Sequence, residues 1–179
     1  IPGGIYYLPE TFTFLGGNRI FGTIPIAVVI FLSIYAIAYF AVNYHRFGKD
    51  VFAIGNNEEA AYLAGVDIKQ VKLTCFVLAG FLSALGGLLE VGRLQSVVAD
   101  LGDGDILMVF AGAILGGTSL KGGIGKVTNV FAAVLVISII ENIMNLIGVP
   151  PSIRQVTFGF ILLGAIYLTS LQTQFRQSA

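Results

Sequence analysis

Side chains able to do chemistry are sparse in this chain, and most of them miss the spacing their chemistry needs. Asn142 and Asn145 stand three residues apart, so on a helix they share a face and offer two amides that both donate and accept hydrogen bonds. That pattern suits a polyol, and it equally suits hydrogen bonding between neighbouring helices. Glu141 precedes them inside an otherwise apolar run, where an ionisable group as a rule faces a bundle interior or an aqueous path. The run Gly122-Gly123-Ile124-Gly125-Lys126 invites comparison with a phosphate loop. Val127, however, stands where Ser or Thr must bind magnesium, and Leu120 where the first glycine belongs, which leaves a tight turn. Asp100, Asp103 and Asp105 suggest calcium, yet Gly102 and Gly104 fall at ligand positions and no Glu closes the loop, so a solvated loop is expected. His45 and Cys75 are single residues of their type, without partners at metal-ligand or disulfide spacing. No metal or cofactor is expected. No nucleophile, base and orienting group fall together, so the chain is not expected to be an enzyme.

The elements that must position these residues are membrane helices. Of the 179 residues, 56% are hydrophobic and 11% charged, with a mean hydropathy of +0.88. Soluble domains carry about 25% charged residues, because a wet surface must hydrate well. The 23 glycines follow no G-x-y period, which excludes collagen and suits helices that pack closely in lipid. Ten basic and ten acidic side chains cancel, removing the electrostatic case for a nucleic-acid partner. Ile1 opens the chain with no basic segment ahead of a cleavage site, which reads as a fragment or a trimmed product.

Ile20 to Val42 is uncharged for 23 residues, about 34 Å as a helix against a hydrocarbon core of about 30 Å. Leu73 to Leu89, extended by Val71 and the stem of Lys72, makes a second span. Ile106 to Leu120 is short and contains Gly112, Gly116 and Gly117, as a short, broken or re-entrant helix does. Val127 to Gly148 makes the fourth segment, stopped by Pro150 and Pro151, and Gln155 to Phe175 the last. The expected fold class is an all-α polytopic transmembrane helical bundle of about five membrane segments. Small residues four apart, Gly80 with Ala84, Ser83 with Gly87, Gly112 with Gly116 and Ala113 with Gly117, supply faces for close helix contact.

The connection Asn43 to Lys72 holds Arg46, Lys49, Lys69 and Lys72, so the positive-inside rule makes it cytoplasmic. Five crossings then put Lys121, Lys126 and Arg176 on the same side, against Arg19, Arg93 and Arg154 outside. The same connection carries two helix-start signals. Asn56 is expected to cap a helix whose third residue is Glu59, with Glu58 and Glu59 complementing the N-terminal dipole and Gly65 ending it. Asp67 is expected to cap the next helix, with Gln70 at its third position. The result is a two-turn helix from about Asn57 to Ala64 whose small apolar side is Ala60, Ala61, Leu63 and Ala64. Such a helix suits docking into a groove of a soluble partner, and it equally suits a linker at the lipid interface.

Three runs carry a family resemblance. Phe47-Gly48-Lys49-Asp50-Val51-Phe52-Ala53-Ile54-Gly55-Asn56-Asn57-Glu58-Glu59-Ala60-Ala61-Tyr62-Leu63-Ala64-Gly65-Val66 resembles the cytoplasmic loop of the permease subunits of bacterial ABC importers for monosaccharides, the ribose, galactose and xylose group. Leu115-Gly116-Gly117-Thr118-Ser119-Leu120-Lys121-Gly122-Gly123-Ile124-Gly125 resembles the glycine-rich loop that follows a short helix in that family. Asn142-Ile143-Met144-Asn145-Leu146-Ile147-Gly148-Val149 is similar to it again. One departure is that the family's Glu and Asp ahead of the third span are replaced by Ile106 and Met108, with acids at Asp103 and Asp105 instead.

Members of that family are longer, so the resemblance implies that 1–179 is a single transmembrane permease domain, the C-terminal half of a larger permease, with 43–72 as its cytoplasmic coupling loop. It implies a subunit of an ATP-driven sugar importer in the bacterial inner membrane, coupled to its ATPase through Asn56, Asn57, Glu58, Glu59, Ala60, Ala61, Leu63 and Gly65. Glu141, Asn142 and Asn145 are the candidates for the substrate path. The implied partners are a cytoplasmic ATP-binding subunit, an extracytoplasmic sugar-binding protein, a second permease subunit and membrane lipid. Two alternatives stand beside this reading: a branched-chain amino-acid importer permease of related architecture, and an ion-coupled secondary transporter or channel, for which Glu141 is the one candidate coupling group.

Overall fold

The computed structural model describes residues 5–6, 19–20, 24–97, 102 and 105–177, with side chains described for 25–97, 102 and 105–167. Asp100 and Asp103 therefore lie outside the described residues. Two-residue strands β1 (Ile5–Tyr6), β2 (Arg19–Ile20) and β3 (Ile24–Pro25) precede α1 (Ile26–Asn43). Then come α2 (Arg46–Asn56), α3 (Glu58–Leu63), α4 (Ile68–Leu94), β4 (Ser96–Val97), α5 (Asp105–Leu115), α6 (Val127–Leu146) and α7 (Pro151–Gln177). β1 pairs antiparallel with β4, and β2 with β3. These ladders are too short to build a core, and the architecture is helical.

Three helices, α1, α4 and α6, have 18, 27 and 20 residues and are apolar enough to cross a membrane; their lengths are about 27, 40 and 30 Å. α1 begins at Ile26 rather than Ile20 because Pro25, which has no N–H to donate, sits at its N-cap in extended backbone. α4 begins earlier than its apolar run because Asp67 caps it, Oδ1 accepting from the Gln70 N–H at 3.1 Å, as the sequence spacing anticipates. α7 opens on Pro151, whose missing N–H costs nothing in a first turn, and it contains the uncharged stretch 155–175. α5 has 11 residues, about 16 Å, which is half of a crossing.

The chain divides into two compact units, Ile1–Val51 with Tyr62–Asp103, and Phe52–Ala61 with Gly104–Ala179. In the first, α2 begins hard against the end of α1: Gly48 is buried, and a Cβ on it would lie 2.1 Å from the Val42 carbonyl oxygen. Phe40, Ala41, Tyr44, His45, Phe47, Thr74 and Leu78 line an apolar groove of about 670 Å³. Ile37, Phe40, Phe76 and Val77 are exposed; lipid tails are as apolar as these side chains, so a bilayer accepts them where water would not.

In the second unit α5 packs against both α6 and α7, around a core of Ala111, Ile137 and Phe158 flanked by Leu107, Met108, Ile161 and Leu162. Gly112 and Gly116 form the seam with α6. A Cβ on Gly112 would lie 3.2 Å from Val134 Cγ2, and one on Gly116 only 2.6 Å from Val130 Cα. The expected contact at this pair is thus made, backbone close to backbone. Gly80 and Gly87 on α4 differ, since a Cβ there meets no described atom within 4 Å.

Candidate functional site

The first candidate region is the bend between α2 and α3. The sequence predicts Asn56 as the cap of the short helix, but the structure gives that role to Asn57, whose Oδ1 accepts from the Ala60 N–H at 3.0 Å. The reason is that α2 runs one residue further, its last turn closed by the Asn57 N–H on the Ala53 carbonyl at 3.0 Å. Asn56 is left to donate from Nδ2 to the Phe52 carbonyl at 2.9 Å and the Gly123 carbonyl at 3.4 Å. α3 carries Glu58 and Glu59 in its first turn, where carboxylates complement the helix dipole. It stops before Gly65, which adopts φ +83° and donates to the Tyr62 carbonyl at 2.9 Å. A left-handed residue at this position is strained for anything but glycine.

Exposure divides the small apolar side expected of this helix. Ala60 is exposed, Tyr62 and Leu63 are 69% and 80% exposed, and Ala61 is 4% exposed. The surface offered outward is therefore Glu58, Glu59, Ala60, Tyr62 and Leu63, and Ala61 belongs to the packed side. Sequence reasoning missed this split because Ala60-Ala61-Tyr62-Leu63-Ala64 is apolar throughout and carries no periodic signal of which side turns inward.

The glycine-rich run after α5 forms a closed turn. Gly117 at φ +80° ends α5, its N–H on the Ile114 carbonyl and the Thr118 N–H on the Ala113 carbonyl, which is the paired bonding of a glycine-terminated helix. The Ser119 N–H donates to the Ile124 carbonyl at 2.9 Å, the Gly122 N–H to the Ser119 carbonyl at 3.1 Å, and the Lys121 N–H to Ser119 Oγ at 3.2 Å. A phosphate loop must leave such N–H groups free for its anion. Here they are taken, which agrees with a tight turn. In the same unit this turn meets the end of α2, Gly122 and Gly123 lying against Gly55 and Asn56.

The second candidate region is the turn from α6 to α7. Gly148 at φ +71° ends α6 with the same paired bonding, its N–H on the Asn145 carbonyl and the Val149 N–H on the Met144 carbonyl. Glu141 is half-buried, and Asn142 and Asn145 are exposed. Asn145 is not an open amide, because its Oδ1 accepts from Arg154 Nη1 in the first turn of α7. Arg154 Nε is buried without a hydrogen-bond partner. Sequence reasoning used Arg154 only for the side of the membrane and gave it no role at the site; the Pro150-Pro151 turn that folds it back is the signal that could have found it. Arg154→Leu and Asn145→Leu should each lower thermal stability by about 1 kcal/mol or more, and the double variant should lose no more than the worse single one. Thermal unfolding of the detergent-solubilised protein checks this; simple addition of the two losses would mean that the bond contributes nothing.

These regions and the helices that carry them define a polytopic α-helical membrane protein with a capped surface helix on one connection and a polar turn between its last two helices. A family described as the branched-chain amino acid transport system / permease component matches residues 2–166, and the chain belongs to that family. It is 40% identical over 157 residues to the L-arabinose transport system permease protein AraH of Escherichia coli (strain K12), covering 88% of this chain and 48% of that protein. It is 36% identical over 162 residues to the galactose/methyl galactoside import permease protein MglC of Salmonella typhimurium (strain LT2), covering 89% and 48%. Over 152 residues it is 35% identical to the ribose import permease protein RbsC of Bacillus subtilis (strain 168), covering 85% and 47%. The chain spans about half the length of the curated relatives it matches. No solved structure matches it.

Proposed function

We propose that the chain is the C-terminal half of the permease subunit of an ATP-driven monosaccharide importer in the bacterial inner membrane. The observation that carries this reading is α3, six residues long, capped by Asn57, ended by Gly65, and turning Ala60 and Leu63 outward. An ion-coupled carrier has no use for such a helix, whereas a permease driven from outside needs a rigid surface for its motor. ATP hydrolysis belongs to a separate cytoplasmic subunit that seats α3 in a groove. Closure of the two ATPase subunits pushes on α3 and switches the permease between outward-open and inward-open forms, and an extracytoplasmic binding protein delivers the sugar. A second permease subunit completes the path.

The relatives named for arabinose, galactose and ribose support a monosaccharide as substrate over a branched-chain amino acid. Asn142 offers the sugar a donor and an acceptor, Glu141 an acceptor beside it, and Asn145 is held in place by Arg154. The meeting of Gly122 and Gly123 with Gly55 and Asn56 supports a common side for Lys121, Lys126 and the first loop, with the turn after α5 completing the passage that α5 alone is too short to make. The test is uptake by cells that express the full-length permease with its ATPase and binding protein and lack other sugar importers. Labelled arabinose, ribose, galactose or xylose should accumulate, with leucine excluded; accumulation of leucine alone would contradict the reading.

A further inference from the structure

Three glycines occupy the place where the end of α2 meets the turn after α5, and none has room for a side chain. A Cβ on Gly55 would lie 2.3 Å from Gly123 N and 2.9 Å from Gly123 Cα. On Gly122 it would lie 2.9 Å from the Gly55 carbonyl oxygen, and on Gly123 2.5 Å from Asn56 Oδ1 and 2.9 Å from Asn56 N. Gly122 and Gly123 also stand at φ +90° and +74°, which side chains disfavour. Asn56 adds the hydrogen bond from Nδ2 to the Gly123 carbonyl.

Both sides of this contact are stiff. Asn57, the next residue, caps α3, so α3 is one peptide unit from the contact. The turn is closed on itself by the Ser119 and Gly122 N–H bonds, and Gly116 at its start lies against Val130 of α6. A contact of backbone on backbone has no rotatable side chain to absorb a displacement, so motion on one side is passed to the other.

We propose that Gly55, Asn56, Gly122 and Gly123 form a clasp that carries the displacement of α3 to the α5–α6 pair. They are positioning residues for coupling. This rests on the docking of α3 proposed above. The experiment uses the full-length permease with its ATPase and binding protein in lipid nanodiscs, and reads ATP hydrolysis stimulated by sugar-loaded binding protein relative to the basal rate. Gly55→Val should lower that ratio by about tenfold, a common consequence of overpacking a close contact, with basal hydrolysis and co-purification of the ATPase retained. A wild-type ratio in Gly55→Val overturns the clasp and leaves the docking standing. Absence of stimulation in the unaltered complex overturns both. If Gly55→Val does not accumulate, Asn56→Ala decides, since it removes the Nδ2 bond to the Gly123 carbonyl and adds no volume at the contact. Asn56→Ala should lower the ratio with basal hydrolysis and co-purification of the ATPase retained. A wild-type ratio in Asn56→Ala overturns the clasp.

Discussion

Leu63→Asp should cut ATP-driven sugar uptake by at least about tenfold while leaving the permease in the membrane, because an apolar anchor at the centre of an interface commonly contributes about 2 kcal/mol or more. Leu63 is 80% exposed on a helix held at both ends, so a change there reaches solvent and disturbs little inside the chain. Ala60→Trp should act in the same direction by holding the two surfaces apart. Ala61→Trp is a different experiment, since Ala61 is 4% exposed and a bulky side chain there overpacks the protein itself. Uptake and co-purification of the ATPase measure the effect together. Wild-type values for both in Leu63→Asp would reduce α3 to a linker at the lipid interface.

Gly116→Val, one residue past the end of α5, should lower the thermal unfolding midpoint more than Gly112→Ala within it. A Cβ at this position would lie 2.6 Å from Val130 Cα and 2.8 Å from Val130 N. Neither atom is the yielding end of a side chain, so α5 must move off α6, and overpacking of this kind costs about 1–3 kcal/mol or more. The displacement also reaches Ala111, which is fully buried between α6 and α7. Gly112→Ala meets Val134 Cγ2 at 3.2 Å, a side-chain atom able to give way, and should cost less. Thermal melting of the purified protein checks the order, and equal midpoints for Gly116→Val and the unaltered protein would contradict the packing described.

What the sequence made legible was local. Asp67 with Gln70, Gly65 as a helix stop, and the Gly112–Gly116 seam all follow from spacings of three or four residues, and the structure contains each of them. What stayed hidden was decided by how the elements end and pack, which the spacing of residue types does not encode. The sequence reading contains no helix over 46–56, which the structure forms as α2; its Gly48 and Gly55 lie where Val42 and Gly123 come too close for a side chain. Asn56 and Asn57 are equally able to cap, and only the point at which α2 ends chooses between them. The burial of Ala61 is a matter of tertiary packing, and the engagement of Asn145 depends on a fold-back around Pro150 and Pro151.

ATP-dependent accumulation in proteoliposomes tests the central claim most directly. Full-length permease, ATPase and sugar-loaded binding protein are reconstituted with ATP on the ATPase side, and labelled arabinose, ribose or galactose is followed across the membrane. The account predicts that a monosaccharide accumulates against its gradient only while ATP is hydrolysed, and that leucine does not. Accumulation driven by a proton or sodium gradient without ATP, or ATP-driven accumulation of leucine in place of sugar, would contradict it.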